Sequence, residues 1–109
     1  MSEMEWSKRE KEIARQAFKA AYFRECTAAL EVVRNMAAEI DEPNGLWQLS
    51  DYLTNKRREI DEKYDYRYSV LPIVFARLIE EGWMEYEDLA DISDEKLDQI
   101  RQLTGDKSR

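Results

Sequence analysis

The sequence predicts an all-α fold in which a long-helix stalk carries a compact C-terminal helical head, with two copies pairing as a homodimer. Three observations lead there. A capping box opens an unbroken helical periodicity that runs to Ile40, the prolines and glycines stand singly between periodic segments, and the apolar faces are too long for one small domain to cover. With 109 residues, 43% of them apolar and 38% charged, the chain has the composition of a single folded domain, 1–109. The stalk is expected over 7–64 and the head over 69–105.

The first helix starts at Ser7-Lys8-Arg9-Glu10, where the Ser hydroxyl and the Glu carboxylate can each satisfy an orphan amide of the first turn. Phe18, Tyr22, Cys26, Ala29, Val33, Met36 and Ile40 then recur at steps of three or four, and Ala14, Ala17, Ala21, Ala28 and Val32 form a small-residue stripe beside them. At about 1.5 Å per residue a helix over 8–40 reaches roughly 50 Å. A compact chain of this size has a radius of gyration near roughly 13 Å, hence a diameter of about 35 Å. The helix therefore overhangs its own domain, and a copy of itself across a two-fold axis is the simplest cover for the exposed apolar face.

Asp41-Glu42-Pro43-Asn44-Gly45 interrupts the first helix, and a second is expected from near Leu46, with Leu49, Leu53, Ile60 and Tyr64 as its core stripe. Glutamate at Leu49 or Leu53 would then bury an unpaired charge and unfold the chain. Arg57 falls on the edge of the stripe and needs a carboxylate or carbonyl partner. Trp47, Thr54 and Arg58 lie off it, with Asp51 further round. Off-face tryptophans next to charges are overrepresented at interfaces, although most single ones are partly buried surface residues, and the composition taken alone slightly favours the latter. Asp51 and Arg57 are six residues apart, so about 120° and about 9 Å separate them on one helix. They cannot easily pair within one helix.

Tyr64-Asp65-Tyr66-Arg67-Tyr68-Ser69 reads as a connector, because Pro72 suits the first turn of a new helix, here expected to be capped by Ser69. From 70 to 79 only Pro72 and Arg77 interrupt the apolar residues, so the third helix should be surrounded by the rest of the fold. Gly82 ends it. Trp83, Met84, Leu89, Ile92, Leu97, Ile100 and Leu103 suggest one or two short helices, the last capped by Ser93 and stopped near Gly105.

The formal net charge of −7 and a pI near 4.7 oppose counterion-release binding to nucleic acid and attraction to anionic lipid. Lys56-Arg57-Arg58 sits among acidic neighbours and reads as a solvated face. There is no basic start followed by an apolar core, and the apolar run over 70–79 is too short to span a bilayer, so no membrane insertion and a cytoplasmic location are expected. The single cysteine, Cys26, reads as a small core residue. The chain contains no histidine, no glycine-rich phosphate loop and no paired-cysteine spacing. A non-enzymatic protein without a cofactor or metal is the expectation.

Leu46-Trp47-Gln48-Leu49-Ser50-Asp51-Tyr52-Leu53, Lys56-Arg57-Arg58-Glu59-Ile60-Asp61, Lys63-Tyr64-Asp65 and Val74-Phe75-Ala76, with Glu81-Gly82 after them, resemble the fluorescence recovery protein family. Trp6-Ser7, Ala21-Tyr22 and Arg24-Glu25 match in the same ungapped register, so the resemblance covers essentially the whole chain. It implies a helical, cofactor-free, non-enzymatic homodimer in the cytoplasm of phycobilisome-containing cyanobacteria. Such proteins bind the photoactivated red form of the orange carotenoid protein, speed its return to the orange form and help restore antenna fluorescence. Trp47, Asp51 and Arg57 match the Trp, Asp and Arg of the family's dimer-interface patch.

Three positions depart from the family pattern. Ser50 stands for a histidine, Ile73 for a head-region phenylalanine that contacts the carotenoid protein, and Gln99 for a lysine of the last helix. Loss of a ring removes anchoring area, and Lys to Gln removes a charge. The resemblance thus implies two readings: a photoprotection regulator acting on orange carotenoid protein, or a dimeric scaffold or chaperone-like adaptor with an unrelated partner in a bacterium without phycobilisomes.

Overall fold

The computed structural model describes residues 5–105, which form four α-helices and one short 3-10 turn, with no strand among the described residues. In order these are α1 (Lys8–Glu39), α2 (Pro43–Lys63), α3 (Leu71–Glu80), the 3-10 turn Tyr86–Leu89, and α4 (Asp94–Thr104). The capping box is present: the Glu10 amide donates to Ser7 Oγ at 3.0 Å, and the Ser7 amide to Glu10 Oε1 at 3.0 Å. Ile40 then leaves the helical region at φ −71°, ψ 122°.

The second helix starts at Pro43, three residues earlier than its apolar pattern suggests, because the fixed φ of proline suits a first turn and its missing N–H costs nothing there. Gly45 sits inside that turn against α1. A Cβ at this position would meet Ile40 Cγ1 at 2.9 Å, so the glycine lets the two helices approach closely at the tip of the hairpin.

Residues 64–67 belong to no helix, as expected of a connector, and begin in a tight turn where the Asp65 amide donates to the Lys63 carbonyl at 3.1 Å. Ser69 does not cap the next helix, however. Val70 is the N-cap and makes no side-chain capping bond, while Pro72 lies in the first turn. The helix ends in a Schellman arrangement, with Trp83 N–H on the Leu78 carbonyl at 2.9 Å, Gly82 N–H on that of Ile79 at 3.0 Å, and Gly82 at φ +90°. Ser93 caps α4 by accepting from the Lys96 amide at 3.3 Å, and Gly105 closes it at φ +73°.

The head core comprises Leu71, Val74, Phe75, Ala76 and Leu78 of α3, with Met84, Leu89, Ile92 and Ile100, set against Ala14, Ala17 and Ala21 of α1. Ala14, Ala17 and Ala21 of the small-residue stripe are therefore the buried seam of α1, since small side chains let the head pack close to the helix backbone, whereas Ala28 is half-buried and Val32 exposed. The larger stripe is only partly covered: Phe18, Cys26, Val33 and Met36 are half-buried, and Tyr22 is exposed.

The stalk overhangs the head as expected. The molecule measures 56 × 28 × 21 Å with a radius of gyration of 17.1 Å, well above the roughly 13 Å of a compact chain of this length. Of the expected α2 core stripe only Ile60 is fully buried; Leu49 and Tyr64 are half-buried and Leu53 is 47% exposed. This overturns the expectation that a charge at Leu53 unfolds the chain, because in the single chain the new carboxylate would reach water. Leu53→Glu is now expected to change unfolding free energy by less than about 1 kcal/mol. A urea titration showing a loss above about 3 kcal/mol would return Leu53 to the core.

Candidate functional site

Trp47, Asp51 and Arg57 all lie on α2, and all three are exposed; Trp47 remains 63% accessible. The 120° between Asp51 and Arg57 keeps them apart. Arg57 Nε donates instead to Asp61 Oδ2 at 3.2 Å, one helical turn further on, through an ion pair open to water. Arg57 also borders an apolar groove of about 330 Å³ between α1 and α2, lined by Tyr22, Cys26, Leu30, Val33, Leu53 and Ile60. Along the same hairpin Leu46 and Val32 are exposed. The two head positions, Ile73 on α3 and Gln99 on α4, point outward as well, Ile73 at 59% accessibility. The structure thus presents the stalk patch and the head positions as surface, and leaves them in separate places.

A second feature goes beyond what the sequence patterns suggest. Glu25 of α1 is 1% exposed and accepts hydrogen bonds from Lys63 Nζ at 2.8 Å, Lys56 Nζ at 3.0 Å and the Tyr64 hydroxyl at 2.8 Å. Lys63 Nζ also donates to Glu81 Oε1 at 2.6 Å and lies 3.6 Å from Glu59. Glu81 in turn accepts from Arg77 Nε at 3.0 Å and the Trp83 indole at 3.2 Å. The oxygens of Glu25, Glu59 and Glu81 lie close enough together to hold a cation, and the Lys63 ammonium is the cation among them. A matching tether lies at the other end of the head. Glu10 binds the Ser93 amide at 2.9 Å and Lys96 Nζ at 3.1 Å, and that ammonium stands 5.2 Å from the centre of the Trp6 ring.

A periodic signal for the two glutamates does exist. Glu10, Ala14, Ala17, Ala21 and Glu25 step by four, three, four and four, so the glutamates continue the buried alanine seam at its two ends. Burial works to raise the Glu25 carboxyl, but the bonds from Lys63, Lys56 and Tyr64 together outweigh it and hold the group below the ordinary 4.5. Glu81 is lowered in the same way, burial being outweighed by Lys63 and Arg77, and Glu10 by the Ser7 and Ser93 amides and Lys96. Burial, and then the Glu25 carboxylate, push the Tyr64 hydroxyl upward.

Carboxylates with depressed folded values contribute stability that is fully present above the unfolded value and lost as pH falls through the folded one. The protein is therefore expected to be equally stable from about pH 6 to 8 and to lose stability progressively below about pH 4.5. Urea midpoints measured across pH 3 to 8 check this. A midpoint that rises as pH drops below 4.5 would contradict the assignment.

Among the described residues no helix is long and apolar enough to cross a membrane. A family model described as photoprotection regulator fluorescence recovery protein matches residues 6–104. The fluorescence recovery protein of Synechocystis sp. is 40% identical over 102 residues, which cover 94% of this chain and 94% of that one. The solved structure of the Fremyella diplosiphon fluorescence recovery protein superposes with a TM-score of 0.88 at 44% identity, over 93% of this chain and 99% of that one. The structure of the Synechocystis sp. PCC 6803 protein gives the same TM-score and coverage at 40% identity. A regulatory rather than an enzymatic family, the same all-helical architecture and a match over nearly the whole length agree: this chain belongs to the fluorescence recovery protein family of photoprotection regulators.

Proposed function

We propose that the protein is a dimeric cytoplasmic regulator that binds photoactivated orange carotenoid protein and accelerates its return to the orange form, restoring phycobilisome fluorescence. The observation that carries this reading is the family match over residues 6–104, which includes the hairpin bearing Trp47, Asp51 and Arg57. The exposed apolar groove beside Arg57 supports a second copy as the cover for the stalk. A regulator that neither forms nor breaks bonds speeds a conformational return only by binding the barrier state more tightly than the photoactivated one. The head then supplies the contact and the dimeric stalk holds it. Mixing the protein with photoactivated orange carotenoid protein should shorten dark recovery in proportion to its concentration. Unchanged recovery at molar excess would remove this reading.

Ile73 and Gln99 favour the alternative of a dimeric scaffold or chaperone-like adaptor with a different partner, because both stand on the head surface without the ring or the charge that the family pattern places there. Restoring both in Ile73→Phe with Gln99→Lys separates the two. A gain in recovery rate on restoration would mean the fold is competent and the contact weakened; no gain would leave the adaptor.

A further inference from the structure

The head and α2 are held to α1 by different means. The head buries Phe75, Leu71, Leu78, Met84, Leu89 and Ile100 almost completely, against the alanine seam. In the 21 residues of α2 only Ile60 and Lys63 are buried, both near its C-terminal end. The hydrogen bonds and ion pairs that join α2 to the rest of the chain among the described residues converge on the same end, from Lys56 and Lys63 to Glu25 and Glu81. The half-covered groove runs beside that same end, lined on α2 by Leu53, Lys56, Arg57, Ile60 and Asp61, while the short turn at residues 40–42 joins the opposite end of α2 to α1.

We propose that α2 is a latch arm that pivots at the 40–42 turn and is caught at its far end by the ion cluster around Lys63. The connector permits the motion. Residues 64–67 belong to no helix, although the Tyr64 amide still donates to the Ile60 carbonyl at 3.0 Å; drawn out at about 3.3 to 3.6 Å each, four residues span on the order of 13 Å, which lets the Lys63 end move while α3 stays in place. In the closed position the connector is clipped to α1 by ring contacts, Tyr64 on Phe18 at 5.4 Å and Tyr66 on Phe18 at 4.7 Å.

Opening would widen the groove that holds Cys26, Val33, Leu53 and Ile60, which is the face a second copy covers in the dimer proposed above. On that reading, on which this part of the inference rests, dimerisation closes the arm and a dissociated protomer relies on the charged catch and the ring contacts of the connector.

Hydrogen exchange resolved by segment tests the arm. An undocked helix of this length is marginal in water, so its amides exchange when the arm opens. In the full-length protein at submicromolar concentration, amides of 47–63 should exchange at least about tenfold faster than those of 74–80. Lys63→Met should widen the gap to at least about a hundredfold with 74–80 unchanged, and Glu81→Gln should widen it less. Equal exchange of both segments in the wild-type protein, or an unchanged gap in a folded variant, would overturn the proposal. If Lys63→Met does not fold, Glu81→Gln and the wild-type gap decide. Sedimentation on the same samples separates the two readings. A mass of 13.0 kDa at every concentration removes the dimer, while the exchange gap still decides the arm.

Discussion

Phe75→Ala is expected to lower the stability of the folded chain by about 3 to 5 kcal/mol, the largest effect foreseen for a single substitution in the head. Phe75 is fully buried in one core cluster with Leu71, Leu78, Met84, Leu89, Ile100 and the alanine seam of α1. Alanines cannot extend to fill the space left by a lost ring, so the cavity term adds to the lost transfer energy. For a domain of this size the loss corresponds to a fall in Tm of roughly 15 to 30 °C. Ile73, two residues away on the same helix, is 59% exposed, and Ile73→Ala should cost no more than about 0.5 kcal/mol. Thermal melts of the two variants check both statements. A Phe75→Ala protein melting within about 5 °C of the wild type would mean that the head is not organised around this ring.

Arg57→Leu is expected to weaken the proposed dimer by at least about a hundredfold, a change of about 2.7 kcal/mol or more. The magnitudes make the experiment discriminating. Within the chain Arg57 is 81% exposed and pairs with Asp61 in water, an interaction worth only about 0 to 1 kcal/mol. Shielded by a second copy and facing its Asp51 or a backbone carbonyl, with Trp47 over the contact, the same guanidinium would be worth about 3 to 5 kcal/mol when its partner is lost. The variant should therefore keep its helicity and monomer stability while the dissociation constant rises. Sedimentation equilibrium gives that constant directly. A change below about threefold, with the fold intact, would leave Arg57 on the solvated face. Asp51→Leu should behave alike, and the double variant should lose less than the two singles combined if the groups meet across the axis.

Elements whose signals lie within one turn are legible in the amino-acid sequence. Ser7 with Glu10, Pro72 in a first turn, Gly82 and Gly105 as stops and Ser93 as a cap each act through backbone groups three or four residues away, so the local sequence contains both partners. The overhang of α1 is legible too, because helix length is fixed by residue count while domain diameter grows slowly with chain length. Ser69 shows where such local rules fail, because serine preference says only that a hydroxyl is available. Whether it reaches an amide depends on how the preceding connector approaches, and here the tyrosines of the connector set that approach through Phe18 and Trp6.

By itself, then, the sequence determined the helices, their order, the long stalk with its terminal head, and the family. Tertiary structure alone decided which stripe of α1 is buried. Both stripes have helical spacing, and the choice falls to Ala14, Ala17 and Ala21 because a small-residue seam lets the 3-10 turn Tyr86–Leu89 of the head approach α1 closely and close the core. It also decided that Leu53 stays exposed and that Lys63 is buried. A lysine reads as surface until carboxylates from three separate segments, Glu25, Glu59 and Glu81, are brought around its ammonium. No local rule relates positions 25, 63 and 81, because the energy that holds that charge inside arises only where distant segments meet.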